Sequence, residues 1–334
     1  MATILVGACA YSYGPGWEFL DEDLDQNIRA PLIRGTAYDA ANERVFFSSC
    51  RPQEFACDLL VVSSDQAGPA GVFRASTEYG YTWPAVSPDG AHLAAVRTPR
   101  HWRPNQRQVQ QELVEIDMAT GEERVVAASD GVRFDRVLYV PSGLVVVRTI
   151  RSSPSVPCHA YFCGDWGDLV IFRGGAPERL PIDARSDSGI VGSGIHLVPL
   201  ADGRLYIRAA QRTPSSDVHT SIVLTWMMEA DGSLGGPATR IAETEALIAN
   251  VPLGGWRSNE LIGGRVGRIE STPFNGTTGD ALALTNTNMS GPTRAAFVRK
   301  VRDGGGFTLH VEALDRGEDG AWRSHWTADV AFPR

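Results

Sequence analysis

At 334 residues, with a formal charge of −8 and 43% hydrophobic residues, the chain is long enough to bury a sizeable core. Its basic residues are scattered, not gathered into the face that nucleic-acid binding needs, and no apolar run reaches the roughly 20 residues of a membrane-spanning helix. The 35 glycines and 20 prolines favour turns and short strands over long helices.

In chain order, Ile4-Leu5-Val6-Gly7-Ala8-Cys9 comes first and has the look of the end of a bacterial lipoprotein signal, which makes Cys9 a candidate lipid anchor. The segment before it is short and lacks a basic start, so an ordinary first strand is the competing reading. Asp21, Asp23 and Asp25 follow at alternate positions and could offer oxygens to a hard cation. The sixth and twelfth positions of a calcium loop would be Gln26 and Leu32, where glycine and glutamate are required, so a solvated acidic loop competes.

A repeating turn then sets the organisation. Trp83 to Val96 contains Ser87-Pro88-Asp89-Gly90, in which proline presets φ, aspartate bonds nearby backbone and glycine supplies positive φ. Short apolar runs flank the turn, at Pro84-Ala85-Val86 and His92 to Val96. Glu112 to Asp117 alternates, placing Leu113, Glu115 and Asp117 on one face and Val114 and Ile116 on the other. Thr120-Gly121 turns the chain again into Glu123-Arg124-Val125-Val126. The product is a four-stranded antiparallel meander.

Related turns stand at Tyr38 to Phe47, Val140 to Val147 and Val198 to Ile207, about fifty residues apart. The pattern fades after residue 245, where Leu247 to Val266 with Leu282-Ala283-Leu284 reads as a further unit. Phe297-Val298, Phe307 to Val311 and Trp326 to Val330 read as strands of a last one. The expected fold is all-β: a single β-propeller domain over 1–334, of about six four-stranded antiparallel blades, or seven. Its ring would be closed by N- and C-terminal strands, with residues 1–35 contributing the closing strand.

Four of the five cysteines fall in two pairs, Cys50 with Cys57 and Cys158 with Cys163. Each pair lies between two candidate strands of its own blade, where a disulfide would staple the loop. Paired cysteines favour a periplasmic or secreted protein, and a lipid on Cys9 would leave four for two bridges. Free thiols in the cytoplasm are the alternative.

Chemistry-bearing constellations are sparse. Gly192-Ser193-Gly194 lacks the glycine two residues before the serine of a nucleophile elbow, and Gly304-Gly305-Gly306 precedes a strand, not a phosphate-binding helix. No two histidines have metal-ligand spacing, although His196 and His310 adjoin predicted strands and could meet at a central channel. No cofactor is expected beyond a divalent cation on these residues, calcium or a transition metal. Two inserts carry the kinds of side chain that binding surfaces use: Arg100, His101, Trp102 and Arg103 in one, His159, Tyr161, Phe162 and Trp166 in the other. Both fall between the second and third strands of their blades, like the Cys50–Cys57 loop, and should emerge on one rim. Packing of these aromatics onto their own loops is the competing reading.

The turn-plus-hairpin pattern at Trp83 to Val96, repeated in weaker form at 38–47, 139–147 and 197–207, resembles the repeats of the TolB-like propellers, also called WD40-like or PD40 repeats. The resemblance implies a bacterial envelope propeller that serves as an interaction platform, and it brings no catalytic residues with it. The expected function is non-enzymatic binding of a protein or glycan by rim loops 50–57, 99–108 and 154–166. The rival is a propeller hydrolase or lyase with a divalent metal in its channel.

Overall fold

Among the described residues, inner strands buried on both faces are joined by tight turns to more exposed outer strands. The computed structural model describes residues 32–50, 57–100, 110–129, 133–150, 166–173, 176–180, 196–199, 202–211, 222–236, 239–242, 287–291, 294–303, 306–316 and 322–333. Among these there is no helix. The first sheet is β1 (Leu32–Asp39), β2 (Arg44–Cys50), β3 (Cys57–Ser63) and β4 (Gly71–Arg74). The second is β5 (Tyr79–Val86), β6 (His92–Pro99), β7 (Glu112–Asp117) and β8 (Glu123–Ala128). The third is β9 (Arg133–Val140), β10 (Gly143–Ile150), β11 (Trp166–Arg173) and β12 (Ala176–Arg179). The fourth is β13 (His196–Pro199), β14 (Leu205–Gln211), β15 (Ile222–Met228) and β16 (Thr239–Ala242). The fifth is β17 (Thr287–Gly291), β18 (Arg294–Asp303), β19 (Gly306–Arg316) and β20 (Trp322–Ala331). Every sheet is an antiparallel meander whose spatial order follows the sequence.

The period of two in a strand explains how the sheets stack. In β10, Val145 and Val147 join a cluster with Leu205, Ile207 and Trp226 of the fourth sheet. Leu144 and Val146 face the other way, onto Val96 and Leu113 of the second. The run Leu144 to Val147 is therefore continuously apolar because both faces are covered, as in other doubly buried strands. The second sheet does the same: Leu93 and Ala95 pack with Phe46 and Leu59 of the first, Ala94 and Val96 with the third. The first sheet packs its other face on Val298, Leu309 and Val311 of the fifth. Thr36 in β1 donates to the Ala296 carbonyl at 3.0 Å, and the Ala70 N–H donates to Ala331 at 2.9 Å, fastening that contact. The sheets thus follow one another as fifth, first, second, third and fourth, with β1, β5 and β9 in contact along one edge of the stack.

The Ser87-Pro88-Asp89-Gly90 turn forms as its chemistry dictates. Gly90, at φ 70°, donates its N–H to the Ser87 carbonyl at 2.9 Å, and Asp89 accepts from the Ala91 N–H at 3.0 Å. In the first sheet Asp39 serves the related turn, accepting from the side chains of Asn42 and Arg44 at 2.9 and 2.6 Å. Leu32–Asp39 is the first strand of the first sheet, and the four described strands of the fifth come from 287–331. Residues 1–31 and 243–286, where any further strands would fall, lie outside the described residues.

Candidate functional site

Equivalent turns sit side by side, which fixes the direction of each sheet. Gly90 lies against Asp39 and Ala41 of the turn between β1 and β2, and Gly203 lies against Pro141 of the turn between β9 and β10. The second strands of the first three sheets end, and their third strands begin, away from these turns, at the roots of three connections. These are the three inserts singled out in the sequence.

Their bases are fixed. Cys50 and Cys57 are directly paired in the β2–β3 ladder, are fully buried, and are joined by a disulfide with Cα atoms 4.0 Å apart. Arg100 closes β6 by donating to the Asp58 carboxylate of the first sheet and to the Ser76 carbonyl. The buried Gln111 donates to Thr98 Oγ1 at 3.1 Å and accepts from the Phe134 N–H at 2.8 Å, tying the second connection to the third sheet. Trp166 opens β11, opposite Ile150. His101, Trp102, Arg103, His159, Tyr161, Phe162, Cys158 and Cys163 lie outside the described residues, as do Cys9, Asp21, Asp23 and Asp25. The structure thus brings the roots of the inserts together, with Arg100 engaged as a tie between sheets.

The two histidines named as channel candidates occupy different places. His196 begins β13, the first strand of its sheet, opposite Arg208. His310 sits in β19, a third strand, with Nδ1 2.8 Å from Asp329 on β20 and Nε2 4.0 Å from Glu312. Among the described residues, no group of three or more His, Cys, Asp or Glu side chains could hold a metal ion.

Two buried carboxylates form clusters that no sequence pattern marks. Glu123 accepts from Arg97, from Arg74 at 3.0 Å and from the Tyr81 hydroxyl at 3.0 Å, between the first and second sheets. Burial pushes the Tyr81 phenol above its ordinary range, while the Arg74 side chain beside it pulls the other way. Glu115 accepts from Arg124 Nε and Nη2 at 2.9 and 2.6 Å and from the Tyr139 hydroxyl at 2.8 Å, between the second and third sheets. Burial, and then the Glu115 charge, hold the Tyr139 phenol far above its usual value. The first cluster ties sheet to sheet through the Arg74–Glu123 ion pair, the second through the neutral Tyr139 hydroxyl on a carboxylate already paired within its own sheet.

A further feature lies on the first strands. In β1, β5 and β9 the ladder to the second strand is broken by a β-bulge, between Ile33 and Thr36, between Thr82 and Ala85, and at Arg136. Each bulge carries a left-handed residue: Gly35 at φ 79°, Trp83 at 55° and Arg136 at 49°. Only the glycine takes this conformation without cost; an L side chain there loses roughly 1–2 kcal/mol. Trp83 also precedes Pro84, which narrows its allowed backbone further. The three positions touch in series. A Cβ on Gly35 would stand 2.9 Å from both Cα and Cε3 of Trp83, and the Arg136 guanidinium lies 5.9 Å from the Trp83 ring centroid. In the sequence Trp83 belongs to a strand-and-turn signature, and nothing in a one-dimensional pattern marks a bulge.

Neither a family model nor a curated protein matches the chain. Among solved structures it is similar to the one assigned as TolB from Agrobacterium tumefaciens, at 12% identity and a TM-score of 0.41, over 89% of this chain and 81% of that one. A structure in the nidogen/laminin complex is similar at 12% identity and a TM-score of 0.40, over 91% and 81% of the two chains. One of two prolyl endopeptidases is similar at 12% identity and a TM-score of 0.34, over 90% of this chain but 43% of that one. None of these likenesses transfers a ligand or a reaction to this chain.

Proposed function

We propose that this chain is a non-enzymatic, single-domain β-propeller that binds a protein partner through the rim formed by residues 50–57, 99–108 and 154–166. The observation that carries the reading is the common exit of these three connections. They leave adjacent sheets at one end, from roots held by the Cys50–Cys57 disulfide, the Arg100–Asp58 pair and the Gln111 hydrogen bonds. Rigid roots under loops rich in Trp, Tyr, His and Arg are what a recognition surface needs, since anchors held in place lose less entropy on binding. The segment 243–286 is about as long as the segment that builds the fifth sheet, and it supplies a sixth blade in this reading. The disulfide supports a periplasmic or secreted location. No helix among the described residues is long and apolar enough to cross a membrane.

The test is retention of a partner from a bacterial envelope extract by the immobilised protein, with a glycan array run in parallel. Trp102→Ala and Trp166→Ala together should lower retention by at least about tenfold, the loss of one or two aromatic anchors, while leaving the melting temperature near wild type. Undiminished retention by the double variant would sink the rim reading. Array binding with no retained protein would move the partner to glycan.

A further inference from the structure

The three connections of the proposed rim differ in charge. Between Cys50 and Cys57 stand one basic and one acidic residue, Arg51 and Glu54. Between Ile150 and Trp166 stand Arg151 and Asp165, with His159. The second connection, from Pro99 to Gln111, holds Arg100, His101, Arg103 and Arg107 and no carboxylate, in a chain of net charge −8. A protein whose overall field repels anions attracts one only through such a local excess of positive charge.

The two roots of this connection are bound to different neighbours. At the first, the Arg100 N–H donates to the Glu78 carbonyl at 2.8 Å, and its guanidinium donates to the Ser76 carbonyl and to the Asp58 carboxylate of the first sheet. At the last, the buried Gln111 accepts from the Phe134 N–H of the third sheet at 2.8 Å and donates to Thr98 Oγ1 at 3.1 Å. Its backbone N–H donates to the Ser129 hydroxyl at 2.8 Å, and its carbonyl accepts from the Ser129 N–H at 2.7 Å. Roots fixed in this way reduce the ordering cost when a partner docks between them. Asp58 takes up the charge of Arg100, so Arg103 and Arg107 give the connection its sign, and Trp102 stands between them and the first root. Arginine and tryptophan are the side chains that most often anchor protein interfaces.

We propose that the second connection is the part of the rim that selects the partner, and that it receives an acidic segment of a protein, with carboxylates on Arg103 and Arg107 and an apolar or aromatic side chain on Trp102. The proposal rests on the rim reading above and adds to it the sign and chemistry of the partner. Gln111 is a positioning residue: it holds the last root against the third sheet and touches no partner.

The probe is a short labelled peptide of alternating glutamate and tyrosine, followed by fluorescence anisotropy beside its lysine–tyrosine counterpart. The glutamate peptide should bind wild type and the lysine peptide should not. Binding should weaken at least about threefold between about 0.1 M and about 1 M salt, as the screening length falls from about 10 Å to about 3 Å. Arg103→Gln with Arg107→Gln should weaken it about fivefold, the worth of two exposed charge pairs, and remove most of the salt dependence. Gln111→Met keeps the net charge but deprives the Phe134 N–H of its acceptor, and should weaken binding about threefold. Tyr81→Phe removes a hydrogen bond elsewhere in the same sheet and should leave affinity within about twofold, both variants being read equally far below their melting midpoints. The proposal is overturned if the lysine peptide binds as tightly as the glutamate peptide, or if the paired arginine changes leave affinity within about twofold. Equal losses in Gln111→Met and Tyr81→Phe would overturn the positioning role. Failure of the rim reading shows separately, as undiminished retention of the extract partner by the Trp102→Ala, Trp166→Ala variant. Retention lost in that variant, with no binding of the glutamate peptide to wild type, leaves the rim standing and sinks its acidic occupant.

Discussion

Replacing Glu123 with alanine tests how the first and second sheets are held together. The carboxylate is 8% exposed and accepts from Arg97, from Arg74 at 3.0 Å and from the Tyr81 hydroxyl at 3.0 Å. Arg97 keeps Glu112 and the Tyr79 ring, 4.4 Å away, as partners when Glu123 is gone. Arg74 keeps the neighbouring Tyr81 side chain and a long 3.4 Å contact to the Gly121 carbonyl, and the Tyr81 hydroxyl loses the carboxylate that accepts its proton. Removing one side of a buried charge pair costs about 3–5 kcal/mol, chiefly because the other side stays behind uncompensated. Arg74 is 34% exposed, so water takes over part of its charge and the loss belongs at the lower end, about 3 kcal/mol. For a chain of this size that is a fall in melting temperature of about 4 °C, read by circular dichroism. Glu112→Ala removes a carboxylate that is 32% exposed and should cost less, about 1 kcal/mol. If Glu123→Ala melts within a degree of wild type, or if Glu112→Ala proves the more damaging, burial is not what gives the network its strength.

Two other outcomes follow from the turns and bulges. Gly35→Ala combines the left-handed penalty with a Cβ only 2.9 Å from Trp83 Cα, a backbone atom that cannot swing aside, and should cost about 2–4 kcal/mol in thermal or urea unfolding; a loss below 0.5 kcal/mol would mean that β1 re-forms without its bulge. Asp89, Asp117, Asp202 and Asp231 all have carboxyls held below the usual aspartate range, Asp89 first by the Ser87 hydroxyl and the others first by backbone N–H groups in their turns. Their folded values lie below the unfolded value of 3.8, so they stabilise the protein above that pH, and the contribution is lost as pH falls from about 4 through the lower folded values. Melts taken from pH 7 down to 3 should show this, and Asp89→Asn should flatten the acid limb; an unchanged limb in that variant would remove the turn carboxylates as its cause.

Where one residue type dictates a local geometry, the sequence was readable. Ser87-Pro88-Asp89-Gly90 closes the hairpin it announces, and the strands after it fall at Glu112–Asp117 and Glu123–Ala128. Phe297-Val298, Phe307 to Val311 and Trp326 to Val330 fall within β18, β19 and β20. The alternation of β7 was readable too, but its meaning was not. Leu113 and Glu115 share a face that a single strand presents as mixed, and both are buried because the third sheet covers that face. Glu115 is tolerable there only because Tyr139 and Arg124 meet it, and neither partner is legible from a period of two. Arg100 illustrates the same limit: it looks like an exposed basic residue of an insert, yet Asp58 of the neighbouring sheet binds it.

By itself, then, the sequence determined the meander and its repeat, because turn chemistry and strand alternation act over a few residues and leave a local mark. It also placed Cys50 and Cys57 at the two ends of one loop, where strand pairing joins them. Only the tertiary structure decided which charges are buried and which side chains meet across sheets. Those contacts, Glu123 with Arg74 or Trp83 with Arg136, join residues about fifty apart whose neighbours in sequence say nothing of one another. The bulges that aim Trp83 and Arg136 belong to the same class, since a bulge is a mismatch between two strands and exists only once they have paired.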